Sequence, residues 1–280
     1  MIVVGLSHRT APLDVRERLA LSGDMLLDVL GRLHRSEGIT ETLVLSTCNR
    51  VEVYAVAASD EGDASRCIVS VLGAVGGSSV VPHLRSLRGN DALRHLFRVA
   101  ASLDSLVVGE PQILGQLKEA IRTAQLAGTL GSSLNAALRH ALQVAKRVRT
   151  ETAIGQGQVS VPTVAVDLAR HIFGELRGQQ CLLVGAGEMA ETAATSTARC
   201  GAHVTVCNRS SDRGRALADS VGGAAAPWDS LAEQLTRTDI VITSTSSPGH
   251  VISYKLLRSL RRKRRGRSLF LIDIAVPRDI

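Results

Sequence analysis

Short apolar runs separated by longer amphipathic stretches characterise the first half of the chain. Three of these runs predict strands, and the last alternates as an extended chain does: 2–6, 42–45 and 51–56. Apolar residues at helical spacing predict helices at about 15–37, 64–76, 90–108, 113–127 and 132–150. We therefore expect an α+β unit that ends at a glycine-containing linker, 152–158.

The second half shows a stricter alternation. Apolar runs of the buried type predict strands at 180–184, 203–207, 240–243 and 269–273, with amphipathic helical segments between them. Strands that alternate with helices are typical of a doubly wound parallel sheet. The expected fold class is α/β, with an α+β domain at 1–155 and a Rossmann-type domain at 156–280.

Composition supports a folded chain and narrows its chemistry. The 280 residues are 45% hydrophobic and 21% charged, which provides a core and excludes charge-rich disorder. Only 2% of the residues are aromatic, so a base-stacking surface of interleaved aromatics is excluded. No apolar run approaches the ~18 residues of a membrane span, and we expect no membrane contact.

The thiols and histidines do not form a metal-binding or disulfide pattern. The five cysteines show no CxxC spacing and the eight histidines no HExxH spacing, so we expect neither a disulfide framework nor a metal site. The N-terminus predicts a strand rather than a secretory segment. The expected compartment is the cytoplasm, with reduced thiols.

The positive charge of the chain is concentrated in one place. Residues 258–267 contain seven cations and no acid, which equals the formal net charge of +7 for the whole chain. A solvated loop between a helix and a strand explains this run at least as well as a phosphate-binding patch does. Both interpretations remain open at this point.

A glycine motif follows the first strand of the second half. Gly185, Gly187 and Ala190 have the spacing GxGxxA directly after a buried-type strand and at the start of a helix. The first glycine permits a tight turn, the second allows a pyrophosphate to approach the backbone, and the alanine permits close helix packing. This context favours dinucleotide binding over a merely structural turn.

The end of the next strand indicates which dinucleotide is bound. An NAD site would place an acidic residue there, but this chain has Asn208, Arg209 and Ser210. A guanidinium suits a 2′-phosphate, which a carboxylate would repel, so NADP is favoured. The alternative is that Arg209 is an ordinary solvated residue.

Cys48 is the candidate nucleophile of the first half. It lies in a polar turn with Thr47, Asn49 and Arg50, where burial in an apolar core is not expected and Arg50 would favour the thiolate. Cys181 and Cys207 lie within strand patterns and are expected to be inert core residues. The residues alone promote neither His95 nor His8 to a functional role.

A glycine and a proline interrupt the helical pattern after residue 108. Polar residues cluster at this interruption, where they would point into a cleft, although a plain helix-loop-helix explains them too. They are Ser105, Glu110, Gln112 and Gln116, with Pro111 between them.

Together these motifs resemble the glutamyl-tRNA reductase family, which catalyses the first committed step of the five-carbon route to tetrapyrroles. The matching stretches cover most of the chain: 5–12, 15–18, 45–50 with Glu52 and Tyr54, 102–116, 145–155, 159–161, 183–188 and 272–279. The resemblance implies an N-terminal catalytic domain, an NADPH-binding domain and a cytoplasmic oxidoreductase.

The resemblance also implies roles for individual residues. Cys48 would be the nucleophile that forms a thioester with glutamate, and His95 would be important for activity. The glutamyl moiety would be bound by Thr47, Asn49, Arg50, Ser105, Glu110, Pro111, Gln112 and Gln116. NADPH would be bound by Gly185, Ala186, Gly187, Glu188, Met189, Ala190, Asn208 and Arg209.

The implied substrate is tRNA(Glu) charged with glutamate, and the implied product is glutamate-1-semialdehyde. An aminomutase that consumes this aldehyde is the implied partner. The family continues into a C-terminal helical dimerisation domain that this chain lacks, so the homodimer expected of the family is in doubt here.

Two other functions remain open on the residues. One is an NADP-dependent dehydrogenase of a free small molecule, which leaves the Cys48 turn unexplained. The other is a non-catalytic tRNA- or partner-binding relative, which a shortened chain would fit. Reactivity of Cys48 toward glutamyl-tRNA distinguishes these alternatives.

Overall fold

The structure is a computed structural model that describes residues 1–58, 60–154 and 160–280. The chain divides into two compact units, Met1–Val159 and Ser160–Ile280. The predicted domain boundary at residues 155 and 156 lies outside the described residues, as does most of the predicted linker. Its exact position therefore stays a prediction.

Unit 1 contains a mixed set of helices and strands. Its strands are β1 (Ile2–Ser7), β2 (Ile39–Ser46), β3 (Arg50–Ala57) and β4 (Arg85–Arg88). Its α-helices are α1 (Leu13–Arg18), α2 (Gly23–His34), α3 (Glu61–Gly76), α4 (Gly89–Ala100), α5 (Gln112–Leu126) and α6 (Ser132–Glu151), with a short 3₁₀ helix at Ser78–His83.

The strands form one antiparallel sheet in the order β2-β3-β1-β4, covered by helices on both faces. One face packs with α1, α2 and α3 around residues such as Val4, Leu30 and Ile68. The other packs with α4, α5 and α6 around residues such as Leu96 and Leu117. Because both faces are covered, every residue of β1 is buried.

Two predicted helices are shorter than their periodicity suggested. The helix predicted at 15–37 is interrupted where buried Leu19 and Leu21 enter the core and the Leu21 amide donates to Ser46 Oγ at 3.0 Å. The helix predicted to reach residue 108 ends at Ala100. Beyond it Ser102 adopts a left-handed backbone (φ 60°), and its hydroxyl donates to the Glu110 carbonyl at 2.7 Å, which closes a loop.

A carboxylate from the sheet caps α6. Buried Glu41 of β2 accepts from the amides of Ser133 (3.1 Å) and Leu134 (2.6 Å), two donors that the first turn of a helix leaves unpaired. Gly131 leaves the room for it, since a Cβ there would lie 2.4 Å from the Glu41 carboxyl carbon. This contact fixes α6 against β2.

Unit 2 begins with α7 (Val161–Phe173) and alternates from there. Its strands are β5 (Gln180–Val184), β6 (His203–Cys207), β7 (Ala224–Ala226), β8 (Ile240–Thr243) and β9 (Phe270–Asp273). Its other helices are α8 (Glu188–Arg199), α9 (Ser211–Ser220), α10 (Leu231–Arg237) and α11 (Tyr254–Leu260), with a 3₁₀ turn at Trp228–Ser230.

The sheet of unit 2 is parallel throughout, in the order β7-β6-β5-β8-β9. Strand order reverses between β5 and β8, which are neighbours although β6 and β7 lie between them in sequence. Crevices at the carboxyl ends of strands beside such a reversal are where α/β sheets bind ligands. The predicted doubly wound fold is confirmed.

The core of unit 2 contains the two cysteines predicted to be inert. Cys181 and Cys207 are 2% and 0% exposed, and burial raises the pKa of their thiols to about 12 and about 11. Both thiols are therefore protonated at neutral pH. Among the described residues, no helix combines the length and apolar character needed to cross a membrane.

Candidate active site

Cys48 lies in the tight turn between β2 and β3 and is half-buried. The Thr47 amide donates to the Arg50 carbonyl at 2.8 Å, and the Thr47 hydroxyl accepts from the amides of Asn49 and Arg50, both at 3.2 Å. The His8 amide donates to the Asn49 carbonyl at 2.8 Å. Thr47 thus shapes the turn that presents the thiol.

Arg16 of α1 holds the same turn from outside it. Its Nη1 donates to the Cys48 carbonyl at 2.5 Å and to the Asn49 side-chain oxygen at 3.3 Å. The residue is half-buried, so water screens its charge less than that of a fully exposed arginine. Arg16 is therefore a positioning residue for Cys48 that the sequence alone did not identify.

Charges from three directions act on the thiol. Burial raises the pKa of Cys48 and the carboxylate of Glu110 adds to that rise, while Arg16 and Arg50 lower the pKa in part. Arg50 therefore favours the thiolate, as its sequence position suggested, but burial outweighs it. The thiol of the free protein is more protonated than an exposed cysteine.

Arg50 begins a ladder of polar side chains on one face of β3. Arg50 and Glu52 are 2% and 4% exposed, and Tyr54 is fully buried. Arg50 Nη1 donates to Glu52 Oε1 at 2.7 Å, and the Tyr54 hydroxyl donates to Glu52 Oε2 at 2.6 Å. Alternate residues of a strand share a face, which brings the three together.

Two residues from outside the sheet complete this network. His95 of α4 lies 2.9 Å from Glu52 Oε1 through its Nε2, which donates when the carboxylate is ionised. Arg50 Nη2 donates to the Asp104 carbonyl and, at 3.3 Å, to its carboxylate. Glu52 thus connects the predicted functional residues His95 and Arg50.

The network holds Glu52 in its charged form. Burial alone would raise the pKa of Glu52, but the Arg50 charge and the hydrogen bonds from His95 and Tyr54 outweigh it and lower that pKa. A buried carboxylate with three donors is compensated, whereas loss of one donor would leave a buried charge partly unpaired.

Gly5 makes room for the Glu52 side chain. It lies opposite Glu52 in the pairing of β1 with β3. A Cβ at Gly5 would lie 2.6 Å from the Glu52 Cα, 2.9 Å from its Cγ and 2.2 Å from the Val51 carbonyl oxygen. Only glycine fits at this position without displacing the network.

The loop before α5 and the first turns of α5 contain the remaining predicted substrate residues. Ser105, Glu110 and Gln112 are buried, Gln116 is half-buried and Pro111 is exposed. Burial raises the pKa of the Glu110 carboxyl, and the Arg50 charge lowers it in part. Glu110 and Asp104 of this loop act on the Cys48 turn or on Arg50, and substrate contact by the other residues stays a prediction.

Unit 2 contains a separate cavity at the carboxyl ends of its strands. It has a volume of about 440 Å³ and lies between the turns that follow β5, β6 and β8, with Trp228 after β7. The residues that line it include Gly185, Ala186, Gly187, Glu188, Met189, Asn208, Arg209, Ser210, Arg213, Trp228 and Ser247. Of the predicted cofactor residues, only Ala190 lies elsewhere, buried in the core.

Gly185 forms the tight turn that the motif predicted, and a pyrophosphate contact at Gly187 stays a prediction. Gly185 has φ +116°, and a Cβ there would lie 2.2 Å from the Ser244 carbonyl oxygen, so the turn requires glycine. Gly187 is the N-cap of α8, and a Cβ there would meet open space. The backbone at the start of α8 is therefore accessible from the cavity, as a bound pyrophosphate requires.

The stretch 272–279, one of those that carry the family resemblance, stabilises the loop after β8. Asp279 is fully buried and accepts from the Thr245 amide at 2.8 Å and the Thr245 hydroxyl at 2.5 Å. Asp273 accepts from the amides of Asp279 (2.8 Å) and Ile280 (3.0 Å). Thr245 lines the cavity, so this motif supports one of its walls.

Arg209 lies between two other cavity residues. Its guanidinium carbon is 5.3 Å from the Trp228 ring centroid, and its Nη2 donates to Ser247 Oγ at 3.2 Å. The sequence predicted Arg209 but not Trp228 or Ser247. Trp228 follows the strand beside β6, and parallel neighbours end at the same sheet edge, so topology rather than a local motif brings it there.

The cavity fits a dinucleotide phosphate. The accessible start of α8 suits a pyrophosphate, and Arg209 and Arg213 supply positive charge beyond the end of β6 where an NAD site has a carboxylate. Its volume lies within the range of about 300–1,000 Å³ typical of small-molecule sites.

Comparison with protein families and known proteins gives a consistent result. The family model described as "Glutamyl-tRNAGlu reductase, N-terminal domain" matches residues 4–152, and the model described as "Shikimate / quinate 5-dehydrogenase" matches residues 167–280.

Individual relatives match along the whole chain. A glutamyl-tRNA reductase of Sorangium cellulosum is 55% identical across all of this chain and 57% of the relative. A glutamyl-tRNA reductase 2 of Anaeromyxobacter dehalogenans is 48% identical, with 62% of the relative covered. The chain thus spans about three fifths of these curated relatives.

One solved structure covers both units. The glutamyl-tRNA reductase of Methanopyrus kandleri is 37% identical with a TM-score of 0.54, and the match covers 100% of this chain and 67% of that one.

Proposed function

The chain belongs to the glutamyl-tRNA reductase family, and from that premise we propose that it takes part in the NADPH-dependent reduction of glutamyl-tRNA(Glu) to glutamate-1-semialdehyde. The observation that carries the proposal is the Cys48 turn, which Arg16 and the buried Arg50 network hold in place. A dehydrogenase of a free small molecule has no use for this arrangement.

The proposed chemistry at Cys48 is acyl transfer. The thiolate sulfur attacks the ester carbonyl carbon between glutamate and the tRNA 3′ end, so a C–S bond forms and the ester C–O bond breaks. The tRNA oxygen leaves and takes up a proton. The glutamyl group stays on Cys48 as a thioester, which accepts hydride more readily than a free carboxylate.

The buried charges would prepare Cys48 and the substrate for this step. Arg16 and Arg50 lower the pKa of the thiol against burial, so they increase the fraction of reactive thiolate. Glu52 would position His95 and Arg50 beside the reaction. Direct pairing of Arg50 with a substrate carboxylate remains a hypothesis, which retention of activity by Arg50→Ala would contradict.

The cavity of unit 2 would bind the cofactor. The backbone at Gly185 to Met189, at the start of α8, would hold the pyrophosphate, and Arg209 with Asn208 would hold the 2′-phosphate. When bound, NADPH supplies the hydride that turns the thioester carbonyl into an aldehyde and frees the Cys48 thiol.

The proposal extends to surroundings and partners. We place the activity in the cytoplasm, where free thiols such as Cys48 stay reduced. The product carries an amine and an aldehyde on neighbouring carbons and is reactive, so a glutamate-1-semialdehyde aminomutase is the proposed partner. The homodimer expected of the family is likewise proposed from family membership alone.

A two-stage experiment tests the function. The purified protein is mixed with glutamyl-tRNA(Glu) without NADPH, and Cys48 is examined for a glutamyl adduct by peptide mass spectrometry. NADPH is then added and semialdehyde is assayed, with Cys48→Ser as the control. We expect acylation confined to Cys48 and aldehyde only after NADPH addition.

Each other outcome has a definite meaning. Binding of glutamyl-tRNA without acylation would refute the proposed chemistry in favour of a non-catalytic binding protein. Acylation without aldehyde would limit this chain to the transfer step and refute its role in the reduction.

A further inference from the structure

The cationic segment 258–267 is left unexplained by the proposed chemistry. It connects the end of α11 to β9 and contains seven cations without an acid. Six of them are exposed: Arg258, Arg261, Arg262, Lys263, Arg265 and Arg267. In the described part of the chain, one acidic residue forms a salt bridge with these six cations: Asp239 Oδ1 lies 2.5 Å from Arg267 Nη2.

Contacts of the buried Arg264 hold the segment in place, while its other cations are exposed to solvent. Arg264 is 6% exposed, and its guanidinium donates to the Leu235 carbonyl and, at 2.7 Å, to the Ser268 carbonyl. Backbone bonds from Arg264 to Leu260 (3.0 Å) and from Arg267 to Arg264 (2.9 Å) form consecutive turns. Such bracing presents the other cations at fixed places.

Several of these cations converge on one concavity. A cavity of about 710 Å³ is lined by Arg258, Arg261, Arg264 and Arg267 around an apolar floor that includes Leu269 and Leu271. The Nε of Arg264 is buried without a hydrogen-bond partner. Like charges held together around a concave surface focus a positive potential that attracts phosphates.

We propose that this surface, Arg258 to Arg267 with its cavity, binds the phosphodiester backbone of the tRNA substrate. The proposal rests on the proposed function, which gives the chain an RNA substrate with one negative charge per phosphate. The cavity of the cofactor has its own phosphate-binding groups, Gly187 and Arg209, so this second basic surface is not needed for NADPH.

The test uses the full chain and uncharged tRNA(Glu) over 50–300 mM KCl. The double variant Arg258→Gln/Arg261→Gln removes two cations of the cavity rim. Each phosphate contact contributes about 0.7–0.9 to the slope of log affinity against log salt. We expect the slope to fall by about 1.4–1.8 and affinity at 100 mM KCl to fall by about tenfold or more.

Two further variants test whether a loss of tRNA affinity is specific to this surface or follows from the lower net charge of the protein. Arg199→Gln/Arg215→Gln removes the same charge from exposed positions of unit 2 outside the segment, and we expect less than about a twofold effect. Arg258→Lys/Arg261→Lys keeps both charges and is expected to keep the slope. NADPH affinity and melting temperature of each variant confirm that unit 2 is folded.

The outcomes distinguish this proposal from the one on which it rests. If Arg258→Gln/Arg261→Gln and Arg199→Gln/Arg215→Gln changed tRNA affinity and its salt slope equally, the proposed RNA-binding surface would be refuted. The protein could then still bind tRNA at another surface. Failure of the unaltered protein to bind tRNA(Glu) would overturn the proposed substrate itself. A loss confined to binding of phosphatidylglycerol vesicles would assign the surface to a membrane and refute the proposal.

Discussion

Trp228 is expected to set the preference for NADPH over NADH by holding Arg209. The side chain of Arg209 is exposed, and the Trp228 ring at 5.3 Å and Ser247 Oγ at 3.2 Å hold it over the cavity, with the charge of the Asp279 carboxylate attracting it. Trp228→Leu keeps apolar bulk against the core but removes the ring. Arg209 would then sample many rotamers, and binding of a 2′-phosphate would have to order it.

The magnitude follows from the strength of the lost contact. A cation–π contact contributes about 0.5–1 kcal/mol when exposed and about 2 kcal/mol when desolvated. Arg209 is exposed and Ser247 still holds it in the variant, so the exposed value applies. We expect the Kd for NADPH to rise about twofold to fivefold, and the Kd for NADH, which has no 2′-phosphate, to stay nearly unchanged.

Calorimetric titration of both nucleotides measures this effect directly. Trp228→Phe keeps an aromatic face and should lose less than Trp228→Leu, while Tyr254→Leu removes an exposed aromatic outside the cavity and should change neither Kd. In the background Arg209→Gln, the Leu substitution should no longer discriminate between the nucleotides, because the two residues form one interacting pair. An equal loss of NADPH and NADH affinity would refute the reasoning, because Trp228 would then only shape the cavity and would not position Arg209 for the 2′-phosphate.

Three further predictions concern the Cys48 site. Arg16→Gln removes a charge that lowers the pKa of Cys48, so iodoacetamide labelling of Cys48 at pH 8, followed by peptide mass spectrometry, should slow about threefold to tenfold, with Arg16→Lys close to the unaltered protein. The pKa of Glu52 is lowered on folding, so its stabilising contribution is complete above the ordinary pKa of about 4.3 and is lost as the pH falls through the folded value. Glu52→Gln should therefore cost about 3–5 kcal/mol at pH 7 and less at pH 3, as measured by urea unfolding followed by circular dichroism; an equal cost at both pH values would contradict the ionic network. Gly5→Ala should displace Glu52 and destabilise unit 1 by at least about 1–3 kcal/mol, whereas Gly115→Ala, in open space on α5, should be neutral or stabilising in the same assay.

The nucleotide cavity could be predicted from the sequence because its central elements are local. The turn from β5 to the start of α8 contains Gly185, Gly187 and Ala190 within six residues, and the positive φ and close contact at Gly185 require glycine there. Arg209 follows from the end of the next strand. Trp228 and Ser247 could not be predicted in this way, because strand order rather than sequence distance brings them to Arg209.

In the fold, too, the features set by local sequence were predicted and those set by tertiary contacts were not. Seven of the nine strands in the described residues were predicted to within a few residues, because burial on both faces gives continuous or alternating apolar runs. Strand β4 was not predicted, because its four residues, Arg85 to Arg88, are mostly polar and exposed. The helix ends were less accurate, since Leu19, Leu21 and Ser102 interrupt helical patterns through tertiary contacts and backbone conformation. The three-residue strand β7 is too short for its periodicity to register.

The Cys48 site is built from contacts between distant parts of the chain, which explains why sequence reasoning identified a candidate nucleophile but not the charges that act on it. Arg16 contacts Cys48 across 32 residues, His95 reaches Glu52 across 43, and Arg50 reaches Asp104 across 54. The alternation at 51–56 predicted a strand, and alternate residues of a strand such as Arg50, Glu52 and Tyr54 share a face. It did not indicate that helices bury this face, and this burial makes the three polar residues a compensated ionic network. Arg50 is therefore committed to Glu52 and Asp104 in the free protein, so a substrate carboxylate would have to compete with two buried acids for it. Arg16 differs from Arg50 in this respect, because it is half-buried and its Nη1 donates to a carbonyl and an amide oxygen, whereas Arg50 forms two buried ion pairs.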